Sequence, residues 1–246
     1  MSLHEAIVAV VAGLFGFSAL LFLLLDLFAI APRQSHLRWS LFVAQLAIVA
    51  ALMVPPLLGN PWVMVAGALL LARGLYELWR LCRSTESPLG WRCGMAAAFL
   101  TAQVGLTVTL IRGPDGFAHL MWIYMFTEMF DMGGYLVGKW RGRRYPFPRL
   151  SPHKSLEGMV GGLLAALMLA VPVNIWLYHR PWDGVLQQGV VILLAALAGD
   201  LATSYLKRRA GCKDFAPVSR HHGGVLDIYD ALLMASPVYL LMLWLA

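Results

Sequence analysis

The sequence is poor in charged residues. Only 13% of its 246 residues are Asp, Glu, Lys or Arg, whereas soluble domains carry about 25%. Hydrophobic residues make up 60% of the chain, and the mean hydropathy is +0.70. Apolar runs of about 20 residues, which is the length needed to cross a bilayer, recur along the chain. The composition therefore excludes a soluble domain with one buried core and predicts an all-α, polytopic integral membrane protein.

Cysteine is scarce and carries no recognisable pattern. Cys82, Cys93 and Cys212 form no CxxC motif and have no histidine at zinc-ligand spacing. We therefore expect free thiols, without a disulfide framework or a zinc site. The first apolar run has no basic residue ahead of it and is longer than the apolar segment of a signal peptide, so we expect it to be retained as the first span.

Dividing the chain at charged residues and Gly/Pro clusters predicts eight transmembrane helices. They are expected at about 6–30, 38–58, 62–81, 95–111, 117–138, 158–178, 186–206 and 230–246. Two of the loops between them are long, at 139–157 and 207–229, and long loops in a compact protein usually carry function. We interpret 1–110 as N-terminal scaffold helices and 111–246 as a catalytic part, within a single structural unit.

Basic residues are distributed unevenly between the loops. Only Arg112 and Arg180, of the 19 Lys and Arg residues, lie in even-numbered loops. The positive-inside rule then predicts that the odd-numbered loops, including both long ones, are cytoplasmic and that both termini are outside. In a bacterium this would be the inner membrane. The net charge of +6 is explained by this role of basic residues, so we expect no nucleic-acid partner.

Several acidic residues lie within or at the ends of predicted spans, where a carboxylate is costly and often functional. Glu128 and Asp131 share a helix face, Asp200 lies in the seventh span, and Asp227 and Asp230 open the last one. A structural ion pair or a helix cap would explain one such pair. Acids from three spans at one cytoplasmic level favour a Mg²⁺ site that water and substrate phosphates complete.

Groups suited to phosphate binding surround these acids. Four cations begin the loop at 207–229, namely Lys207, Arg208, Arg209 and Lys213. They are followed by His221-His222-Gly223-Gly224, in which two glycines let backbone N–H groups approach a phosphate closely. The loop at 139–157 ends with a cation, a hydroxyl and an acid at Lys154, Ser155 and Glu157. The alternative for this segment is a polar helix start with Ser155 as its cap.

The two long loops resemble motifs of the phosphatidate cytidylyltransferases, also called CDP-diacylglycerol synthases. That family's signature is similar to the run SYLKRRAGCKDFAPVSRHHGGVLDIYD. The matching positions are Ser204, Lys207, Arg208, Lys213, Asp214, His222, Gly223, Gly224, Asp227 and Asp230. An upstream segment of the family resembles DMGGYLVGKWRGRRYPFPRLSPHKSLEGMVGG. It matches at Asp131, Tyr135, Gly138, Ser151, Pro152, Lys154, Glu157 and Gly158.

Four positions depart from the family pattern. Ser219-Arg220 replaces the usual Leu-Pro, Ser155 replaces a threonine, and Ile228 replaces the arginine that follows the first aspartate after the glycines. Ser155 keeps its hydroxyl. Two interpretations of the lost arginine stay open: Arg220 supplies the missing cation, or the lipid specificity is altered.

The resemblance implies an enzyme of phospholipid biosynthesis that converts CTP and phosphatidate into CDP-diacylglycerol and pyrophosphate. It implies Mg²⁺ on Asp200 and Asp227, with a monovalent cation as a candidate second ion. Lys207 and Lys213 join these aspartates as catalytic residues. The expected substrate-binding residues are Ser151, Lys154, Ser155, Glu157, Ser204, Arg208, Asp214, Arg220, His222, Gly223, Gly224, Asp230 and Asp131.

Two alternatives come from other functional classes. A CTP-dependent polyprenol or dolichol kinase would share CTP and a similar basic-loop architecture but would transfer the γ-phosphate to an alcohol. A transporter or degenerate scaffold would use the intramembrane acids as ion sites. The spacing of the cations, glycines and aspartates favours the cytidylyltransferase. The sequence leaves the oligomeric state open, with a homodimer as one arrangement.

Overall fold

The fold is a bundle of helices. The structure, a computed structural model, describes residues 3–27, 35–84, 88–111, 116–178, 182–218 and 223–245. Within these ranges, all regular structure is helical. The helices are α1 (Leu3–Leu27), α2 (Ser35–Leu58), α3 (Asn60–Ser84), α4 (Leu89–Ile111), α5 (Gly116–Arg141), α6 (Leu156–Tyr178), α7 (Trp182–Arg209), α8 (Val225–Ile228) and α9 (Asp230–Leu245).

Each predicted span overlaps one of the long helices. In the described part of the chain, four segments are long and apolar enough to cross a membrane: Glu5–Leu24, Ser35–Leu58, Asn60–Arg83 and Gly184–Arg209. Shorter apolar stretches lie at Gly94–Val108, Leu156–Met168 and Asp230–Leu245. The all-α membrane architecture is therefore confirmed, and eight crossings stay a prediction. The short helix α8, inside the second long loop, was not predicted because four residues show no periodicity.

Glycines with positive φ angles follow the ends of α2 and α7. Gly59 follows α2 with a φ of 106°, and its N–H donates to the carbonyl of Pro55 at 3.1 Å. Gly211 follows the basic last turn of α7 with a φ of 67°. Residues with a side chain rarely adopt these positive φ angles, so glycine terminates each helix at low cost.

Helices α5 and α6 pack closely because glycines line their interface. A Cβ atom at Gly133 would lie 2.6 Å from Ala165 Cβ, and one at Gly158 would lie 2.7 Å from the carbonyl oxygen of Gly134. Only residues without a side chain permit this backbone approach. The interface holds both ends of the loop that carries Lys154.

The core centres on α5 and α9. Trp122 and Phe126 of α5 are buried and make an edge-to-face contact with ring centroids 4.5 Å apart. Tyr239 of α9 is fully buried, and its hydroxyl is hydrogen-bonded to His119 Nδ1 at 2.9 Å. Helix α9 also packs against α4 and α7. This packing fixes the helices whose ends carry the predicted acids.

Candidate functional site

Two lysine–aspartate ion pairs join the segments predicted to form the site. Lys207 Nζ on α7 lies 2.6 Å from Asp227 Oδ1 on α8, and both side chains are 11% exposed. Lys154 Nζ, in the loop before α6, is ion-paired with Asp200 Oδ2 on α7. About a quarter of the side chain of Lys154 and of Asp200 is exposed. Each of the two predicted metal ligands, Asp200 and Asp227, therefore forms an ion pair with a lysine.

Asp227 also closes the loop that precedes it. Its Oδ2 accepts the backbone N–H of Phe215 at 2.8 Å and that of Gly224 at 2.7 Å. Asp227 is the third residue of α8, so its contact with Gly224 is the reaching-back half of a capping box. One oxygen of Asp227 thus organises the backbone, while the other faces a cation.

Asp230 connects α9 to α7. Its Oδ2 accepts the Thr203 hydroxyl at 2.8 Å, and its Oδ1 accepts the N–H of Ala231 at 2.7 Å. The same Thr203 hydroxyl lies 3.0 Å from the carbonyl oxygen of Asp200. The Thr203 hydroxyl therefore links Asp230 to the backbone of Asp200, a predicted metal ligand.

Charges from several elements converge on Lys154. Burial lowers its pKa below the ordinary value of a lysine, the carboxylates of Asp131 and Asp230 oppose this shift, and the ammonium of Lys207 adds to it. A cavity of about 240 Å³ adjoins Lys154, and Asp131, Ser151 and Ser155 also line it. The structure thus brings predicted residues of α5, α7, α9 and the intervening loop to one place.

Two predicted substrate-binding residues make contacts within the loop itself. The buried Ser155 accepts the N–H of Gly158 on its Oγ at 3.0 Å, which caps α6. The Glu157 carboxylate accepts the N–H groups of Arg143 and Arg144 at 3.0 and 3.1 Å. The cap is the alternative that the sequence left open for Ser155. A substrate contact by either residue stays a prediction.

Other predicted residues lie at the edge of this cluster. Lys213, Asp214 and Arg208 are exposed, and Arg208 donates to the carbonyl of Cys212 at 3.1 Å. Ser204 is buried on α7. Arg220 and His222 lie outside the described residues.

The glycine pair has a steric explanation. A Cβ atom at Gly223 would overlap the Asp227 carboxylate, and one at Gly224 would overlap the carboxylate of Glu77. Each glycine therefore makes room for an acidic side chain, whatever its role toward a phosphate.

Glu77 and Arg73 of α3 are contacts that the sequence analysis missed. Glu77 is 1% exposed, and its carboxylate accepts the N–H groups of Val225 at 2.8 Å and Leu226 at 3.0 Å. Arg73 Nε lies 2.9 Å from Glu77 Oε1. The sequence does place Glu77 inside the predicted span at 62–81, where an acidic residue is a functional candidate by default.

An apolar cavity of about 490 Å³ lies beside α8. Its walls come mainly from α2, α3 and α4, and include Ala51, Ala66 and Leu106. Val225 and Ile228 close it on the side of α8. Ile228, which stands where the family pattern has arginine, therefore faces an apolar space. Because Arg220 lies outside the described residues, both interpretations of the lost arginine stay predictions.

The donor chemistry fits Mg²⁺. Among the described residues, no group of three or more His, Cys, Asp and Glu is arranged to hold a metal ion. Mg²⁺ in nucleotide enzymes needs only one or two carboxylates, because waters and phosphates complete its shell. Asp200 and Asp227 are carboxylates of this kind, each paired with a lysine, and their binding of Mg²⁺ stays a prediction.

Comparison with known proteins gives consistent matches. A sequence profile of the cytidylyltransferase family matches residues 3–246. The phosphatidate cytidylyltransferase of Staphylococcus haemolyticus is 27% identical over 154 residues, covering 59% of this chain and 56% of that protein. That of Aquifex aeolicus is 37% identical over 117 residues, covering 46% and 42%. The uncharacterised Escherichia coli K12 protein YnbB is 34% identical over 134 residues, covering 54% and 44%. The chain spans about half the length of the curated relatives it matches.

Proposed function

Because the chain belongs to the cytidylyltransferase family, we propose that it transfers the cytidylyl group of CTP to phosphatidate. The products are CDP-diacylglycerol and pyrophosphate. The observation that carries this proposal is the pair of lysine–aspartate contacts, Lys207 with Asp227 and Lys154 with Asp200, beside an apolar cavity. Cations and carboxylates suit a nucleoside triphosphate with its metal, and an apolar cavity suits lipid chains. The relatives named phosphatidate cytidylyltransferase support the same substrates.

The reaction needs charge neutralisation more than a base. An oxygen of the lipid phosphate forms a bond to the α-phosphorus of CTP, the bond from that phosphorus to the bridging oxygen breaks, and pyrophosphate leaves. The attacking phosphate is already anionic, so no proton has to be removed. Repulsion between two phosphate groups dominates the barrier, and fixed cations lower it. Lys207 and Lys154, which pair with aspartates in the structure, would exchange these partners for phosphate oxygens.

Asp200 and Asp227 are the residues that would hold Mg²⁺. When bound, the ion would neutralise phosphate charge and orient the triphosphate. The Asp227 oxygen that faces Lys207 is the one available to a cation, because its other oxygen accepts the N–H groups of Phe215 and Gly224. Asp227 would thereby link the position of the ion to that of the loop.

The lipid chains would enter the apolar cavity between α2, α3 and α4. Its wall includes residues of α8, the helix that carries Asp227. A phosphatidate molecule could therefore extend its acyl chains into the cavity while its phosphate lies at the charged cluster.

The expected orientation places this cluster at the cytoplasmic face, where CTP is found, with both termini outside. In a bacterium the membrane would be the inner one. Arg73 Nη2 of α3 donates to the carbonyl of Ala216 at 2.7 Å, so α3 and the second long loop meet at one level. The side of the membrane that this level faces rests on the distribution of the basic residues alone. A homodimer stays a prediction.

One assay tests the proposal. The purified full chain in mixed micelles is incubated with Mg²⁺, phosphatidate and CTP labelled on either the α- or the γ-phosphorus, and products are separated by chromatography. We expect the α-label in a CDP-lipid and the γ-label in pyrophosphate. A γ-labelled phospholipid formed from an added polyprenol, with CDP as co-product, would instead identify a lipid kinase. Absence of Mg-CTP binding would exclude both enzymes.

A further inference from the structure

We propose that Glu77 and Arg73 of α3 are positioning residues, which hold the first turn of α8 and the loop before it so that Asp227 faces the site. The inference rests on the proposed function, because it assigns these residues to the reaction of the same site. It gives the N-terminal helices a part in that site beyond scaffolding.

Glu77 is buried within an apolar helix. A carboxylate that is almost fully removed from solvent within an apolar helix is costly unless it is paired and hydrogen-bonded. Its oxygens accept the N–H groups of Val225 and Leu226 and the guanidinium of Arg73. All three donors lie within 3.0 Å. Two of these donors belong to α8 and one to α3, so the carboxylate is fully hydrogen-bonded only when α8 is in place.

Two carboxylates accept backbone N–H groups of the same short segment. Glu77 binds the N–H groups of Val225 and Leu226, and Asp227 binds those of Gly224 and Phe215. Consecutive N–H groups from residue 224 to 226 are thus divided between an acid of α3 and an acid of the site. Movement of α8 away from α3 would move Asp227 with it.

Arg73 binds the backbone of the loop on the other side of Asp227. Its Nη2 donates to the carbonyl oxygens of Ala216 at 2.7 Å and Pro217 at 3.3 Å. These residues follow Phe215, whose N–H binds Asp227. Arg73 and Glu77, one turn apart on a single helix, therefore hold both backbone segments that meet at Asp227.

Hydrogen exchange measured on the purified full chain tests the contact without reference to activity. The variants are Glu77→Ala, which removes the acceptor, and Glu77→Gln, which keeps one acceptor oxygen in a side chain of similar size. Amides in peptides that cover 213–229 should exchange about tenfold faster in Glu77→Ala and by a smaller factor in Glu77→Gln. Arg73→Gln, which keeps Glu77, should accelerate exchange in the same peptides.

Two control variants separate this effect from general loosening. Asp26→Asn removes a carboxylate that accepts the Ser35 hydroxyl and the Trp39 indole N–H, in another part of the chain. Arg80→Ala removes an exposed cation from the same helix as Glu77. Both should leave exchange at 213–229 as in the unmodified protein. Unchanged exchange in Glu77→Ala and Arg73→Gln, or equal acceleration in the controls, would overturn the proposal.

Kinetics distinguish positioning from a structural role alone. If a loosened α8 presents Asp227 in only a fraction of molecules, the Mg-CTP concentration that gives half-maximal rate should rise several-fold in Glu77→Gln and further in Glu77→Ala, while kcat falls less. A lower kcat with an unchanged half-saturating concentration would contradict positioning. If the unmodified protein forms no CDP-diacylglycerol, the proposed function fails, whereas the exchange result still decides whether α3 holds the loop.

Discussion

At the scale of single residues, Asp227 combines a backbone contact with an ion pair. Oδ2 accepts two N–H groups of the loop and Oδ1 faces Lys207. An asparagine can retain the first function through its amide oxygen, but it carries no charge for a cation. The two functions can therefore be separated by choosing the substitution.

Asp227→Asn should lower kcat about a thousandfold or more, since it removes charge from the proposed metal site. Its melting temperature in detergent should fall only by the loss of the ion pair with Lys207, because its amide oxygen can still accept the N–H groups of Phe215 and Gly224. Asp227→Ala should lower both kcat and the melting temperature, because the N–H groups of Phe215 and Gly224 then lose their acceptor. Near-normal turnover of Asp227→Asn at saturating Mg²⁺ would refute the proposed role of this residue.

Lys207 and Asp227 should be energetically coupled. Lys207→Met leaves a partly buried carboxylate without its ammonium, and Asp227→Asn leaves the ammonium without its carboxylate. The double variant should lose less stability than the sum of the single variants, with a coupling energy of about 1–3 kcal/mol. Unfolding measured by denaturant titration in mixed micelles gives this value. Additive losses would indicate that the ion pair contributes little to folding.

The chemistry of individual residues was only partly predictable. The acids and lysines at Asp200, Asp227, Lys154 and Lys207 could be identified by type and spacing, because charges near a membrane span are rare. Their pairing could not, since it depends on how α6, α7 and α8 meet. Glu77 was missed because it belongs to no motif, and its partners lie about 148 residues further along the chain.

At the scale of elements, glycine positions set the separation of α5 and α6. Two glycines that match the family pattern, Gly138 and Gly158, lie on this interface. Their matches are explained by packing, whereas Lys154 and Ser151 in the loop between the helices can contact a ligand. A sequence motif here mixes structural and functional positions that only the three-dimensional arrangement separates.

Gly158→Ala should destabilise the protein by about 1–3 kcal/mol, because the added methyl group meets the Gly134 carbonyl oxygen and Ser155 Oγ. It should also lower the affinity for CTP, since the Lys154 loop would shift. Gly94→Ala is the matched control, because nothing lies within 4 Å of the Cβ it adds. Thermal unfolding and nucleotide binding of both variants check the expectation. Equal behaviour of the two variants would contradict it.

The apolar cavity predicts a dependence on acyl-chain length. Ala66→Phe fills part of the space between α2, α3 and α4 and should lower the rate with long-chain phosphatidate several-fold more than the rate with a short-chain analogue. Ala72→Phe is a suitable control, because Ala72 is exposed on the same helix and does not line the cavity. Competition assays with the two lipids measure the ratio. An unchanged ratio in Ala66→Phe would place the chains elsewhere.

At the scale of the whole molecule, the expected orientation can be tested by labelling. In a background with all three cysteines replaced by serine, single cysteines at Asn60 and Gly113 should react with an impermeant thiol reagent in intact cells. A cysteine at the exposed Arg143 should react only after permeabilisation. The distribution of basic residues motivates this pattern. Labelling of the Arg143 variant in intact cells would reverse the orientation.

Hydropathy predicted where the long helices lie, because each apolar run must satisfy its backbone hydrogen bonds internally. It did not predict α8, or the cavity between the first helices and the second half. Both arise from packing between segments distant in sequence, as in the contacts of Arg73 with Ala216 and of Glu77 with Val225. The resemblance predicts a site in the last part of the chain, and the structure shows that α3 contacts the loop that carries Asp227.

The contact between α3 and α8 also determines when, during biosynthesis, the charged cluster can form. Ribosomes deliver α3 early, whereas α8 and α9 emerge near the end of this chain, and Asp230 of α9 is bound by Thr203 of α7. The charged cluster can form only after the late segments have reached helices inserted earlier. A nascent chain that stops before α8 lacks Asp227, so it should remain inert toward CTP while it is still being threaded into the membrane.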